Sequence, residues 1–211
     1  GSKVSLAFQR PNSIPAGISL NNPDAFYDLI ESVGVNPPPP SAFPDDYYGD
    51  ELEYLTQFEL KTNEYAERLR DTYLAGKNAD TVDYPEFYPN IAPIQYTKNP
   101  LSAQLKIIAR LLSGGSKTRI FLTRIGGFDT HVGQEAKHKN VLRKYDESVS
   151  TFVKDLKKNE KFDDVLILTF SEFGRRVAQN ASGGTDHGAA SNVFLMSGGL
   201  NKPGVYNEVS D

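Results

Sequence analysis

From Pro100 onward, apolar residues recur with alternating helical and strand periods, and this pattern limits the fold more than any other feature. Residues 101–113 and 140–158 follow the helical period, whereas residues 118–125, 164–170 and 192–197 are short apolar runs typical of strands. The near-continuous run at 164–170 indicates a strand covered on both faces. Helices alternating with strands favour parallel pairing through crossover connections. We therefore predict an α/β fold with an open, mostly parallel sheet flanked by helices.

We predict that the residues before this pattern belong to the same domain, so that residues 1–211 form a single α/β domain. Residues 1–99 are helical and irregular, with a long amphipathic helix over 50–75 and a proline-rich connector at 36–44. Residues 100–211 supply the core strands and the loops that carry polar residues at strand ends. Open α/β sheets place their active sites at such strand ends.

Composition excludes several classes of function. The net charge of −4 and the pI near 5.5 argue against a nucleic-acid-binding surface. No apolar run approaches the ~18 residues needed to span a bilayer, and no signal peptide is recognisable. The chain has no cysteine, so any metal ligands must be histidines or carboxylates.

Asp129 and His131 follow the predicted strand 118–125 and are the first candidate metal ligands. They lie two residues apart after Gly126 and Gly127, on a loop in which both side chains can face one ion. Histidine with carboxylate suits zinc, with manganese and calcium as alternatives, although magnesium and calcium prefer oxygen ligands alone. The competing interpretation is that Asp129 caps the next helix and His131 is its hydrogen-bond partner.

Two further clusters follow the later strands. Glu172 comes directly after residues 164–170, where a carboxylate is costly unless it is paired or bound to a cation. It either binds a metal, leaving Arg175 for a substrate anion, or forms an ion pair with Arg175. Asp186 and His187 lie in a glycine-rich loop before residues 192–197 and are candidate ligands of the same centre.

These clusters together resemble a known family. The segments GGFDTH at 126–131, SEFGRR at 171–176 and GTDHG at 184–188, with the loop around Asn180, are similar to domain of unknown function family 1501. That family is grouped with the alkaline phosphatase–sulfatase superfamily. The resemblance implies a two-metal hydrolase of phosphate or sulfate esters that is periplasmic or secreted. Its substrate would be a small anionic ester or a sulfated or phosphorylated sugar.

The resemblance also suggests roles for single residues. The superfamily places an Asp and a His four apart after one strand, an Asp-His pair after the next, and a later His before a further strand. On this pattern Asp129, His131 and His187 hold one metal, although the first two lie only two apart. Glu172, with Asp186, faces a second metal, while Phe173 stands where the superfamily has a histidine.

Two hypotheses about function follow. In the first, the chain is a metal-dependent ester hydrolase, incomplete at its N-terminus, in which Arg175 steadies the substrate anion and the nucleophile lies outside the sequence. In the second, it is a non-catalytic exported protein that binds carbohydrate or a surface and retains the fold. Under the second hypothesis Tyr84, Tyr88 and Tyr96 would line the binding rim, although tyrosines suit half-buried loops equally well.

Overall fold

The computed structural model describes residues 17, 19, 22–33, 43–89 and 96–207. These residues fall into two compact units. Unit 1 comprises the residues up to Lys77 together with Gly114–Lys117, and unit 2 comprises Asn78–Ser113 and the residues from Thr118 onward. The predicted proline-rich connector lies outside the described residues up to position 42.

Unit 1 is a pair of helices, α1 at Pro23–Val33 and α2 at Tyr47–Ala75. The predicted long helix is confirmed. It begins three residues earlier than expected because the Asp46 side chain accepts a hydrogen bond from the first turn. The two helices are in contact, with the Arg70 guanidinium 4.2 Å from the centre of the Tyr27 ring. None of the described helices is long and apolar enough to span a membrane.

Unit 2 is built on two further helices, α3 at Pro100–Ser113 and α4 at Gln134–Lys158. Their facing sides form its hydrophobic core, together with one tyrosine from the preceding segment: Tyr84, Leu101, Leu105, Ala109, Val149, Phe152 and Leu156. The last three recur at the helical period that predicted a helix over residues 140–158, and they lie on its buried face. The core therefore lies between two helices, and Ile167 and Met196 pack against its edge.

The strands of unit 2 are short. They are β1 Phe87–Pro89, β2 Tyr96–Lys98, β3 Ile167–Thr169, β4 Gly174–Arg175, β5 His187–Gly188 and β6 Phe194–Met196. Among the described residues they form three separate two-stranded sheets, β1 with β2, β3 with β6, and β4 with β5. Every one of these pairs is antiparallel.

The predicted open, mostly parallel sheet is therefore wrong. A parallel pair needs a crossover connection, usually a helix, whereas an antiparallel pair can be joined by a returning loop. The connection from β3 to β6 contains no helix; it folds back through β4 and β5. Thr169 consequently pairs with Phe194, and the two strands run in opposite directions.

The predicted strand at residues 118–125 is also absent, although its alternating burial is present. Phe121, Thr123 and Ile125 are half-buried, while Ile120 and Leu122 are exposed. The segment joins none of the described sheets. The alternation in the sequence therefore indicates that one face of the segment is covered, but it does not show that the segment pairs with another strand.

One buried carboxylate ties the start of unit 2 to α4. Asp155 is fully buried and accepts four hydrogen bonds, from Asn78 Nδ2 (2.8 Å), Ala79 N (2.8 Å), Tyr84 Oη (2.9 Å) and Asn159 Nδ2 (2.8 Å). An ionised carboxylate only accepts hydrogen bonds, and all four partners donate. Burial raises the pKa of Tyr84 well above its ordinary value, and the hydrogen bond to Asp155 raises it further.

Candidate metal centre

The β4–β5 pair places two of the predicted site residues side by side. Arg175 lies directly opposite His187 in this pairing, and Gly174 lies opposite Gly188. The strands approach so closely that a Cβ on Gly174 would lie 2.4 Å from the carbonyl oxygen of Gly188. Only glycine fits at position 174. The close approach of the strands that this glycine allows brings Arg175 and His187 near each other.

Three side chains converge on one oxygen of Asp129. His131 Nε2, His187 Nε2 and Arg175 Nη2 each lie 2.9 Å from Asp129 Oδ1. The candidate ligand atoms of Asp129, His131 and His187 all lie within 4.8 Å of one another, a spacing that one metal ion can bridge. The predicted convergence of these three residues is confirmed, although antiparallel strands produce it.

The neighbours of Asp129 favour its charged form. The hydrogen bond from His187 lowers the pKa of the Asp129 carboxyl, and the charges of His131, His187 and Arg175 lower it further. The side chain is 57% exposed, and those of His131 and His187 are 44% and 51% exposed. The centre thus holds an anionic oxygen and two imidazoles at the surface, open to solvent on one side.

The structure places Arg175 as a bridge between loops. Its guanidinium donates through Nη1 to the Thr185 carbonyl and through Nη2 to the Phe128 carbonyl and Asp129. The side chain is only 16% exposed. The alternative pairing with Glu172 is not formed, because the arginine is engaged by Asp129 instead.

Phe173 has a part in the centre that sequence reasoning missed. Its ring stacks on His187, with the ring centres 4.2 Å apart and the planes 15° from parallel, and the Arg175 guanidinium lies 5.3 Å from its centre. A phenylalanine cannot bind metal, but this ring packs against His187, one of the three candidate ligands. The local indication in the sequence was an aromatic residue directly before Gly174 and Arg175, which form strand β4.

Asp186 lies next to the cluster and contacts it from outside. Its Oδ1 is 3.3 Å from His131 Nδ1 and accepts a hydrogen bond of 3.0 Å from Asn180 Nδ2. The bonds from Asn180 and His131 lower the pKa of the Asp186 carboxyl. Neither Asp186 nor Glu172, which is exposed, belongs to the metal-sized group found among the described residues. Metal binding by these two residues stays a prediction.

A family profile described as "Protein of unknown function (DUF1501)" matches residues 55–211, which include every residue of the centre. The chain belongs to the DUF1501 family. The resemblance found in the sequence is confirmed at this level, and the wider superfamily placement is not shown. Comparison with curated proteins and with solved structures found no match.

The structure removes one part of each of two alternatives for this DUF1501 protein, although His131 does lie 2.9 Å from Asp129 as the first alternative expected. Asp129 does not cap α4, which begins after Gly133 without a side-chain cap. Tyr84 cannot line a sugar-binding rim, because it is 4% exposed and its hydroxyl is bonded to Asp155. The side chains of Tyr88 and Tyr96 lie outside the described residues.

Proposed function

We propose that this DUF1501 protein binds a divalent cation, preferably zinc, through Asp129, His131 and His187, and hydrolyses phosphate or sulfate esters at that site. The observation that carries the proposal is the clustering of the three ligand atoms within 4.8 Å. Two imidazoles and one carboxylate form a donor set that zinc favours. Three protein ligands also leave a fourth position open for substrate or water, as catalytic zinc sites do.

The neighbouring residues suit an anionic substrate. The bound cation would act as a Lewis acid toward the ester oxyanion. The Arg175 guanidinium would add a positive charge beside that of the cation, since its Nη2 lies 2.9 Å from Asp129 Oδ1. In the overall reaction, water oxygen forms a bond to phosphorus or sulfur, the ester oxygen leaves, and one proton from water is transferred to the departing alcohol.

Release of the phenol from an aryl phosphate and an aryl sulfate, with and without added zinc, tests this proposal on the full-length protein. We expect zinc-dependent turnover that falls at least ~100-fold in Asp129→Ala at limiting zinc, since loss of one ligand removes roughly 3 kcal/mol of zinc binding and each 1.4 kcal/mol is a tenfold change. Asp146→Ala is the matched control, because Asp146 is an exposed acid on α4 outside the cluster.

Zinc binding without turnover of either ester would overturn the hydrolase proposal. It would support the alternative of a non-catalytic protein that binds carbohydrate or a surface. Turnover that Asp129→Ala leaves unchanged would place the reaction at a different site.

A further inference from the structure

His131 uses both of its ring nitrogens. Nε2 lies 2.9 Å from Asp129 Oδ1, inside the cluster, and Nδ1 lies 3.3 Å from Asp186 Oδ1, outside it. When Nδ1 carries the proton and donates to Asp186, neutral His131 keeps the lone pair of Nε2 available for a cation in the cluster. The Asp186 contact therefore selects the ring form that can bind metal.

Asp186 is itself held in place by Asn180. The Asn180 amide nitrogen donates to Asp186 Oδ1 and to the backbone carbonyl of His131, each at 3.0 Å. The Asn180 amide oxygen accepts hydrogen bonds from the backbone nitrogens of Ser182 and Gly184, also at 3.0 Å. The Asn180 side chain therefore stabilises the loop that contains it and connects that loop to both His131 and Asp186.

Gly184 brings this loop against the backbone of His131. A Cβ at Gly184 would lie 2.3 Å from the carbonyl carbon and oxygen of His131, closer than any side chain allows. The backbone nitrogen of Thr185 also donates to the Thr130 carbonyl. The loop is therefore fitted to the segment that carries His131, and Asp186 has a defined place at its end.

We propose that Asp186 is a positioning residue, held by Asn180, that fixes the protonation pattern and orientation of His131 so that Nε2 faces the cation. The inference rests on the cation site of the proposed function, and it gives Asp186 a role other than the ligand role predicted from the sequence. A metal-bound histidine donates the N–H of its other ring nitrogen to a partner such as a carboxylate. Removal of that partner typically weakens metal affinity by about 10–100-fold.

Zinc affinity, measured by competition with a chromophoric chelator, gives the first test. We expect Asp186→Ala to weaken binding by about 10–100-fold. Asp186→Asn should restore most of the loss, since its amide oxygen can still accept from His131 and Asn180. Asp146→Ala should bind as the unsubstituted protein does. Equal losses in Asp186→Ala and Asp186→Asn that match the loss in His131→Ala would identify Asp186 as a ligand and overturn the inference.

The protonation pattern of His131 in metal-free protein gives a second, independent test. Long-range ¹H–¹⁵N NMR of the imidazole should show the proton on Nδ1, and Asp186→Ala should shift the population toward the other form. An unchanged pattern would overturn the inference even if zinc binds. If His187→Ala binds zinc as well as the unsubstituted protein, the proposed function fails, while the NMR result still decides the role of Asp186.

Discussion

Asp155→Ala is expected to lower the free energy of unfolding by about 2–6 kcal/mol, because Ala79 N and Tyr84 Oη lose their acceptor at about 1–3 kcal/mol each, whereas Asn78 Nδ2 and Asn159 Nδ2 keep backbone acceptors. Asp155 is 0% exposed, and its partners come from the segment at Asn78–Tyr84 and from the end of α4. The whole free energy of unfolding of a typical protein is about 5–15 kcal/mol. We therefore expect the variant to be largely unfolded in urea concentrations that leave the unsubstituted protein intact.

Urea unfolding followed by far-ultraviolet circular dichroism measures this effect. Asp146→Ala, on the exposed side of the same helix, should change the free energy of unfolding by no more than ~0.5 kcal/mol. A loss below ~1 kcal/mol in Asp155→Ala would show that the hydrogen bonds from Ala79 and Tyr84 are not formed in solution.

The raised pKa of Tyr84 adds a pH dependence to the same network. A group whose pKa is higher in the folded state stabilises the protein fully below its unfolded pKa and loses that stabilisation as pH rises. The ordinary value for tyrosine is 10.0, so the loss begins above that pH. Tyr84→Phe, which removes the hydroxyl, should abolish this part of the alkaline dependence.

The helices of this protein could be predicted because their apolar residues recur at one period. Two of the starts were misplaced because the first turns of these helices carry no apolar period. Asp46 begins α2 before the first apolar position, and α4 begins at Gln134, six residues before the predicted Asn140. The added residues of α4, Gln134–Lys139, are mostly polar and carry no periodic signal. Packing faces were therefore more predictable than boundaries.

The sheet could not be predicted because an apolar run in the sequence does not show which other residues cover it. Residues 164–170 were interpreted as a strand buried on both faces, yet Leu166, Leu168 and Phe170 are 60%, 53% and 60% exposed. Leu168 faces Leu195 across the β3–β6 pair, and both side chains are about half exposed. Strand direction depended on the long connection between β3 and β6, whose sequence has no helical or strand period.

The candidate metal ligands could be predicted because they lie in short local segments, whereas the residues that support them could not. Asp129 and His131 lie two residues apart, and His187 ends a glycine-rich loop, so loops alone could aim all three at one point. The contacts of Phe173 and Asp186 depend on the β4–β5 pairing and on the fold of the Asn180 loop. Neither is visible as a spacing in the sequence, since both join residues through hydrogen bonds or ring stacking.

His187→Ala is expected to lower zinc affinity by more than about 100-fold while leaving the helical content of the protein unchanged. Structural zinc sites with four ligands bind with about 10–16 kcal/mol, so loss of one ligand removes roughly 3 kcal/mol, and each 1.4 kcal/mol is a tenfold change. His187 is 51% exposed and lies outside the hydrophobic core, so its removal should not disturb the packing of α3 and α4. Isothermal titration with zinc and circular dichroism measure the two quantities separately.

His138→Ala is the matched control for that experiment. His138 lies in the same part of the chain, but its ring contacts Phe128, with the centres 5.7 Å apart, and it does not belong to the cluster. Its substitution should leave zinc affinity unchanged. Equal affinity in His187→Ala and His138→Ala would show that the cluster does not bind zinc.

The pH dependence of zinc affinity identifies which ligand competes with protons. The pKa of Asp129 is lowered, chiefly by the hydrogen bond from His187, so its carboxylate stays ionised as the pH falls below the ordinary carboxyl value of 3.8. Imidazoles must be neutral to coordinate, so zinc affinity should fall as the proton concentration rises. Competition between protons and zinc at two histidine ligands gives a steeper decline than competition at one. An affinity that stays constant until carboxylates titrate would exclude histidine coordination and leave Asp129 paired with Arg175 alone.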